Sequence, residues 1–312
     1  MNGVSRRDTL KGAAAAGGAA LASAAARPPR RRTATFVFVT GANGSVFTDA
    51  ELTLRGHRTV GVELPGHGPD APQFRVAYQA PQDLAALAAE PSAMADVTLD
   101  DYVAATVRTV RRAAEHGPVI LVGGSMGGAT ITRAANEVPD LIDRLVYSAA
   151  FCCTKLRSID DYLATPEAKG NRFDAIIGGV VGDPRRIGAV RINWRSADRD
   201  FLAALKEALM ADAGEAEFLA MLNSSLPDDT LHVSTADARG HKRTWGRVPR
   251  TYIRHSRDRC IPPALQDRMI AEADELTPGN RFDVHTVPAT HAPTKAAWAR
   301  IVDILDDLAR RL

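Results

Sequence analysis

Val119-Ile120-Leu121-Val122-Gly123-Gly124-Ser125-Met126-Gly127 is the stretch whose reading decides the architecture. Val119–Val122 is an unbroken apolar run, as in a strand buried on both faces of a parallel sheet. Gly123–Gly127 reads G-x-S-x-G, and a helical pattern follows from Gly127 to Glu137, stopping before Pro139. A strand, a sharp turn and a helix form the setting in which this motif presents a serine hydroxyl at the carboxyl edge of a sheet. The turn strains the serine's dihedrals, and bulky residues two positions either side would strike the neighbouring strand and helix. The helix N-terminus behind the hydroxyl favours developing negative charge. Ser125 is the expected nucleophile; the alternative is a glycine-rich turn with no chemistry.

Outward from this stretch, apolar β-rich runs alternate with helical patterns, which predicts an α/β fold with a mostly parallel sheet and helices on both faces. Strands are expected at 35–40, 59–64, 145–149, 250–253 and 282–287, and helices at 49–55, 98–116, 263–273 and 294–312. Thr98 opens its helix with Asp101 three residues on, a capping-box pair. Residues 69–97 read as loop. Residues 152–247 break the alternation and read as a lid inserted between 33–151 and 248–312. In that insertion Trp194, Phe201, Leu205, Phe218 and Met221 either line an acyl pocket or form the core of a small cap.

A serine hydroxyl needs a base to take its proton. In this strand–helix order the acid follows the nucleophile and the histidine comes last. Of eight histidines, His285 falls inside the 282–287 run, whereas His291 lies in the loop after it, at the carboxyl edge. His291 is the expected base, and His255 precedes the acid and so has the wrong order. Asp258, five residues past Ile253, is the expected acid, orienting the imidazole and stabilising its charged form; otherwise it is a surface residue paired with Arg257 or Arg259. Asp283 is the runner-up. The oxyanion of an acyl-transfer intermediate would meet two backbone N–H groups, those of Met126 and Ala42, the latter in the Gly41-Ala42-Asn43-Gly44 turn.

The 312 residues suffice for one large core, and 45% hydrophobic with 24% charged residues is ordinary for a globular chain. The net charge is +2 with signs mixed along the chain, so no basic stripe points to nucleic acid. Cys152, Cys153 and Cys260 show no zinc spacing, so neither a metal nor another cofactor is expected. Adjacent Cys152 and Cys153 are poorly placed to bridge each other, and a bridge from Cys260 to one of them stays open.

Residues 1–32 read as a targeting segment and linker. Ser5-Arg6-Arg7-Asp8-Thr9-Leu10-Lys11 resembles a twin-arginine export motif, followed by an Ala/Gly-rich run to Ala26 with Ala22-Ser23-Ala24 or Ala24-Ala25-Ala26 as the cleavage site. The alternative is a disordered Ala-rich tail. The run is too short and small-sided for a membrane span of about 20 apolar residues. The expectation is a secreted or periplasmic protein with no membrane contact after cleavage.

Over residues 33–312 the chain resembles the α/β-hydrolase superfamily, most of all the branch of plant methyl-ester esterases and hydroxynitrile lyases and their bacterial relatives. The resemblance is carried by Phe36–Gly44, by Gly56-His57-Arg58 through Leu64-Pro65-Gly66-His67-Gly68, by Gly123–Gly127, and above all by Pro249–Ile253 with Asp258–Gln266. It implies an α/β-hydrolase fold, a Ser125/Asp258/His291 triad, Ala42 and Met126 as oxyanion donors, and a small-molecule ester or lactone cleaved through an acyl-enzyme. Two positions depart from the family: Thr40-Gly41 where His-Gly is usual, and Thr290 where Asp usually precedes the histidine. The family's lyases carry Lys directly after that histidine, and here it is Ala292. The other readings are an acyltransferase, a hydroxynitrile-lyase-like C–C lyase, or a non-catalytic binding protein.

Overall fold

Alternate residues of the apolar strands enter two different cores, one on each face of a single sheet. The computed structural model describes residues 33–312 apart from positions 70 and 72; the expected export segment lies outside the described residues. In chain order these form β1 (Thr35–Val39), α1 (Ala50–Leu54), β2 (Arg58–Gly61), α2 (Leu84–Ala89), α3 (Leu99–Ala114), β3 (Val119–Ser125), α4 (Gly127–Glu137) and β4 (Arg144–Ala150). Next come α5 (Ile159–Leu163), α6 (Phe173–Ile177), α7 (Pro184–Ile187), β5 (Val190–Arg191), α8 (Arg199–Leu209), α9 (Glu215–Ser224) and β6 (Asp228–Asp229). The order closes with β7 (Arg250–His255), α10 (Pro263–Leu276), β8 (Asp283–Val287) and α11 (Lys295–Arg310).

The main sheet runs β2-β1-β3-β4-β7-β8, and each neighbouring pair is parallel. Val37, Leu121, Leu145 and Tyr147 face a core shared with α3, α4 and α10. Phe36, Phe38, Ile120, Val122 and Val146 face the opposite core, closed by Leu52 of α1 and by Ile301, Leu305 and Leu308 of α11. This period-two division of apolar runs is what a parallel sheet covered on both faces requires. Because the strands are parallel, the loops after β1, β3, β7 and β8 all leave from one edge, and those loops carry the candidate site.

The Thr98–Asp101 capping box starts α3 as expected. Other boundaries differ. β3 runs on to Ser125, so the motif's first glycines are strand. β7 runs past Ile253 to His255, whose N–H is taken by the Gln266 side chain at 3.0 Å. The segment expected to be loop contains α2, capped by the Asp83 carboxylate on the Ala86 N–H; with only Leu87 buried, it is too short to show a periodicity.

Between β4 and β7, Trp194, Leu205, Leu209, Phe218 and Leu222 form a third core, with Phe201 and Met221 packed against it. These aromatic and aliphatic residues therefore make the core of the inserted segment. Cys260 joins that core and Ala292 packs on it, so the insertion touches the loops of both the acid and the histidine. All three cysteines are buried and free, which removes the possible Cys260 bridge. No helix of the described residues is long and apolar enough to cross a membrane.

Candidate active site

Ser125 ends the central strand with φ +50, a left-handed conformation that costs a non-glycine residue roughly 1–3 kcal/mol. Its neighbours must be small. A Cβ on Gly127 would lie 2.6 Å from the Thr40 carbonyl oxygen, and one on Gly123 would lie 2.9 Å from the Gly127 oxygen. Gly41, across the edge, has the same constraint: its Cβ would fall 2.8 Å from the Ser125 Cβ and 3.4 Å from Oγ. The turn after β1 thus presses directly against the serine.

His291 Nε2 lies 3.1 Å from Ser125 Oγ, and His291 Nδ1 lies 2.8 Å from Asp258 Oδ2. The other carboxylate oxygen, Oδ1, accepts the N–H groups of Cys260 at 2.8 Å and Ile261 at 2.9 Å. Asp258 is buried and bonded at both oxygens, so it is not a surface residue paired with Arg257 or Arg259. Burial opposes the imidazolium, but the Asp258 charge and hydrogen bond outweigh it and hold the His291 pKa above 6.5. The carboxylate fixes the tautomer with its proton on Nδ1, leaving the Nε2 lone pair toward the serine.

Ala42 follows Gly41 in the turn after β1, and Met126 is the N-cap of α4. Among the described residues, neither backbone N–H donates a hydrogen bond. Both flank Ser125 in the chain or across the edge, Ala42 through Gly41.

The other expectations sort cleanly. His285 and Asp283 sit together on β8 at 3.2 Å, and Asp283 also faces Arg311, so neither joins the serine. His255 is not the base. It is buried, its Nδ1 lies 2.9 Å from the Thr290 carbonyl oxygen and its Nε2 lies 3.1 Å from Ser148 Oγ. Burial lowers its pKa, so it is neutral, donating from Nδ1 and accepting from Ser148. It therefore ties β4 to the residue preceding His291. On the other side of that residue, Thr290 Oγ1 donates to Asp212 Oδ1 at 3.1 Å, and the Ala292 N–H donates to the Leu209 carbonyl at 2.9 Å.

The sequence places Asn43 and His67 in turns but gives no sign of what they bond. Asn43, at φ +55, donates its N–H to Asp229 Oδ2 at 2.5 Å and its side-chain amide to the Leu226 carbonyl at 2.9 Å. Leu226 N–H returns a bond to the Asn43 carbonyl at 2.7 Å. His67 Nδ1 meets the Gly44 carbonyl at 2.6 Å, its Nε2 meets Tyr102 OH at 2.7 Å, and that hydroxyl donates to Asp229 Oδ1 at 3.1 Å. With the Tyr102 proton on Asp229, both His67 nitrogens donate and the ring is an imidazolium; with that proton on His67 Nε2, the ring is neutral and donates from Nδ1 alone. Burial opposes the imidazolium; Asp229 outweighs it by hydrogen bond and charge, and the His67 pKa is raised. Beside it, Asp228 pairs with Arg191 at 2.6 and 2.8 Å, both side chains fully buried. Removing one member of such a pair costs about 3–5 kcal/mol, so the 226–229 segment is a firm anchor for the turn carrying Ala42.

A family model described as the alpha/beta hydrolase family matches residues 36–304. The chain is 24% identical over 259 residues to a pimeloyl-[acyl-carrier protein] methyl ester esterase of Shewanella woodyi, covering 77% of this chain and 88% of that protein. It is 26% identical over 267 residues to a pyrethroid hydrolase of Sphingobium wenxiniae, covering 83% and 80%. Among solved structures it is similar to a pyrethroid hydrolase from Sphingobium faniae, with a TM-score of 0.65 at 22% identity, covering 89% of this chain and 97% of that one.

Proposed function

Because the chain belongs to the alpha/beta hydrolase family, we propose that it hydrolyses a carboxylic ester or lactone through an acyl-enzyme on Ser125. The observation that carries the reading is the continuous chain from Ser125 Oγ through His291 to Asp258, at 3.1 and 2.8 Å. As Oγ attacks the ester carbonyl carbon, His291 Nε2 takes its proton, and Asp258 stabilises the imidazolium that forms. The carbonyl π electrons move to oxygen, where the Ala42 and Met126 N–H groups meet the charge. Collapse expels the alkoxide, which leaves as the alcohol with the proton from Nε2. Water then repeats the sequence on the acyl-serine and releases the acid.

The named relatives act on a methyl ester and on pyrethroids, which supports an ester as the substrate class. A lyase reading would want a cation beside the base, but residue 292 is Ala, packed on the apolar core of the insertion. The test is a panel of methyl and aryl esters, lactones and thioesters of graded acyl length, with and without an added alcohol. Ester or lactone turnover with free acid as product supports the reading. Transfer to the alcohol in preference to water would make the enzyme an acyltransferase, and no turnover of any acyl compound would refute it.

A further inference from the structure

The acid and the base of this site share their surroundings with a third ligating group. Cys260, Asp258 and His291 each place one ligand atom (a thiol sulfur, a carboxylate oxygen and an imidazole nitrogen) within 4.8 Å of the others. We propose that these three residues form a binding site for a thiophilic divalent cation such as Zn²⁺ or Cd²⁺, and that its occupation switches off Ser125. The second half of this statement rests on the serine-hydrolase reading above; the first does not.

The local chain explains the grouping. Asp258 and Cys260 are one residue apart, and the Cys260 N–H donates to Asp258 Oδ1 at 2.8 Å, which curls the thiol back toward the carboxylate. His291 is held on the same carboxylate through Nδ1 at 2.8 Å. Around tetrahedral zinc, bonds of about 2.0–2.3 Å separate neighbouring ligand atoms by about 3.4–3.6 Å, so the widest gap closes with a movement of only ~1 Å. The thiol gives up little in that movement: among the described residues its one hydrogen bond is to the Ala208 carbonyl oxygen at 3.7 Å. Sulfur with imidazole and one carboxylate is a donor set suited to Zn²⁺ and its softer neighbours.

Charge favours the same outcome. Empty, the site holds one buried negative charge on Asp258. A divalent cation with a thiolate and a carboxylate brings the sum to zero, which suits a buried position. A cavity of about 400 Å³ opens beside Asp258 and Thr290. The two arginines on its wall are matched, Arg257 by Asp212 and Arg259 by Glu207, so they do not bar a cation.

The proton balance gives the effect on catalysis. The thiol proton leaves to solvent as the metal–sulfur bond forms. The imidazole proton leaves Nδ1, whose lone pair then binds the metal, and the neutral ring is reprotonated on Nε2. That nitrogen then faces Ser125 as a donor and has no lone pair for the hydroxyl proton.

The test is a titration of the full chain with CdCl₂, following the ultraviolet charge-transfer band of a Cd–thiolate bond together with hydrolysis of an ester that the protein cleaves. Wild type should show the band, lose activity in step with it, and recover on adding a chelator. Cys260→Ala and Cys260→Ser should lose the band and need roughly tenfold or more Cd²⁺ for the same fractional loss of each variant's own metal-free activity, the scale on which metal affinity responds even to outer-shell losses. The serine variant preserves volume should the alanine variant melt early. A band that persists in both variants would place the metal on Cys152 or Cys153 and overturn the proposal. So would the absence of a band, or a band without inhibition. If no ester is cleaved, the band alone decides the metal site and the failure belongs to the hydrolase reading.

Discussion

The backbone N–H of Asn43 donates to the Asp229 carboxylate across 186 residues of chain, at 2.5 Å. A residue of the inserted segment thereby sets the direction of the peptide next to Ala42. It does so together with His67, whose Nδ1 holds the Gly44 carbonyl from the other side of the same turn. Asp229→Ala should let the turn relax and blunt the oxyanion interaction. The expected result is a fall in kcat with KM little changed, up to the ~10²–10³-fold that loss of one oxyanion donor costs. A matched rise in KM at constant kcat would show that Asp229 serves substrate binding instead.

His255 gives a second, smaller prediction. Its Nδ1–H holds the Thr290 carbonyl one residue before His291. His255→Ala should loosen the base and lower kcat by about tenfold, within the ~10²-fold that a 1 Å misplacement can cost. His255→Asn, whose amide can still donate, should recover part of the loss. His285→Ala, on β8 beside Asp283, should leave kcat unchanged, and the three variants are compared on one ester with thermal melts as controls.

The grouping of Ser125, Asp258 and His291 was legible because it follows from strand order. G-x-S-x-G names its own turn, and parallel strands send the later loops to the same edge. The end of β7 was less legible. Arg254 and His255 look like loop residues, yet Arg254 is paired with Asp267 and His255 is bonded by Gln266, Ser148 and Thr290. The His67–Tyr102–Asp229 network was not legible, because its members come from a loop, a helix and the insertion. No spacing marks them, and only the fold brings their charges together.

The pH dependence follows from the His291 surroundings. The base works only when neutral, and Asp258 raises its pKa above 6.5, so kcat/KM should rise with pH through a midpoint above that value. Asp258→Asn removes the charge that raised it. The midpoint should then move to lower pH while the plateau falls about 10⁴-fold, since the imidazole is no longer held in the right tautomer. A midpoint that stays put in Asp258→Asn would assign the ionisation to another group.

Export is testable from the sequence motif alone. Replacing Arg6 and Arg7 together by lysine should trap a precursor inside the cell, as expected if Ser5–Lys11 is a twin-arginine signal. Secretion unchanged by the double substitution would remove that reading.

The most direct measurement is labelling of the folded protein with a fluorophosphonate, read by intact mass and by peptide mapping. An activated serine should take up one equivalent, with the adduct on Ser125. Ser125→Ala should take up none, and His291→Ala should react slower by orders of magnitude. An adduct on any other residue, or equal labelling of Ser125→Ala, would contradict the assignment of Ser125 as the nucleophile.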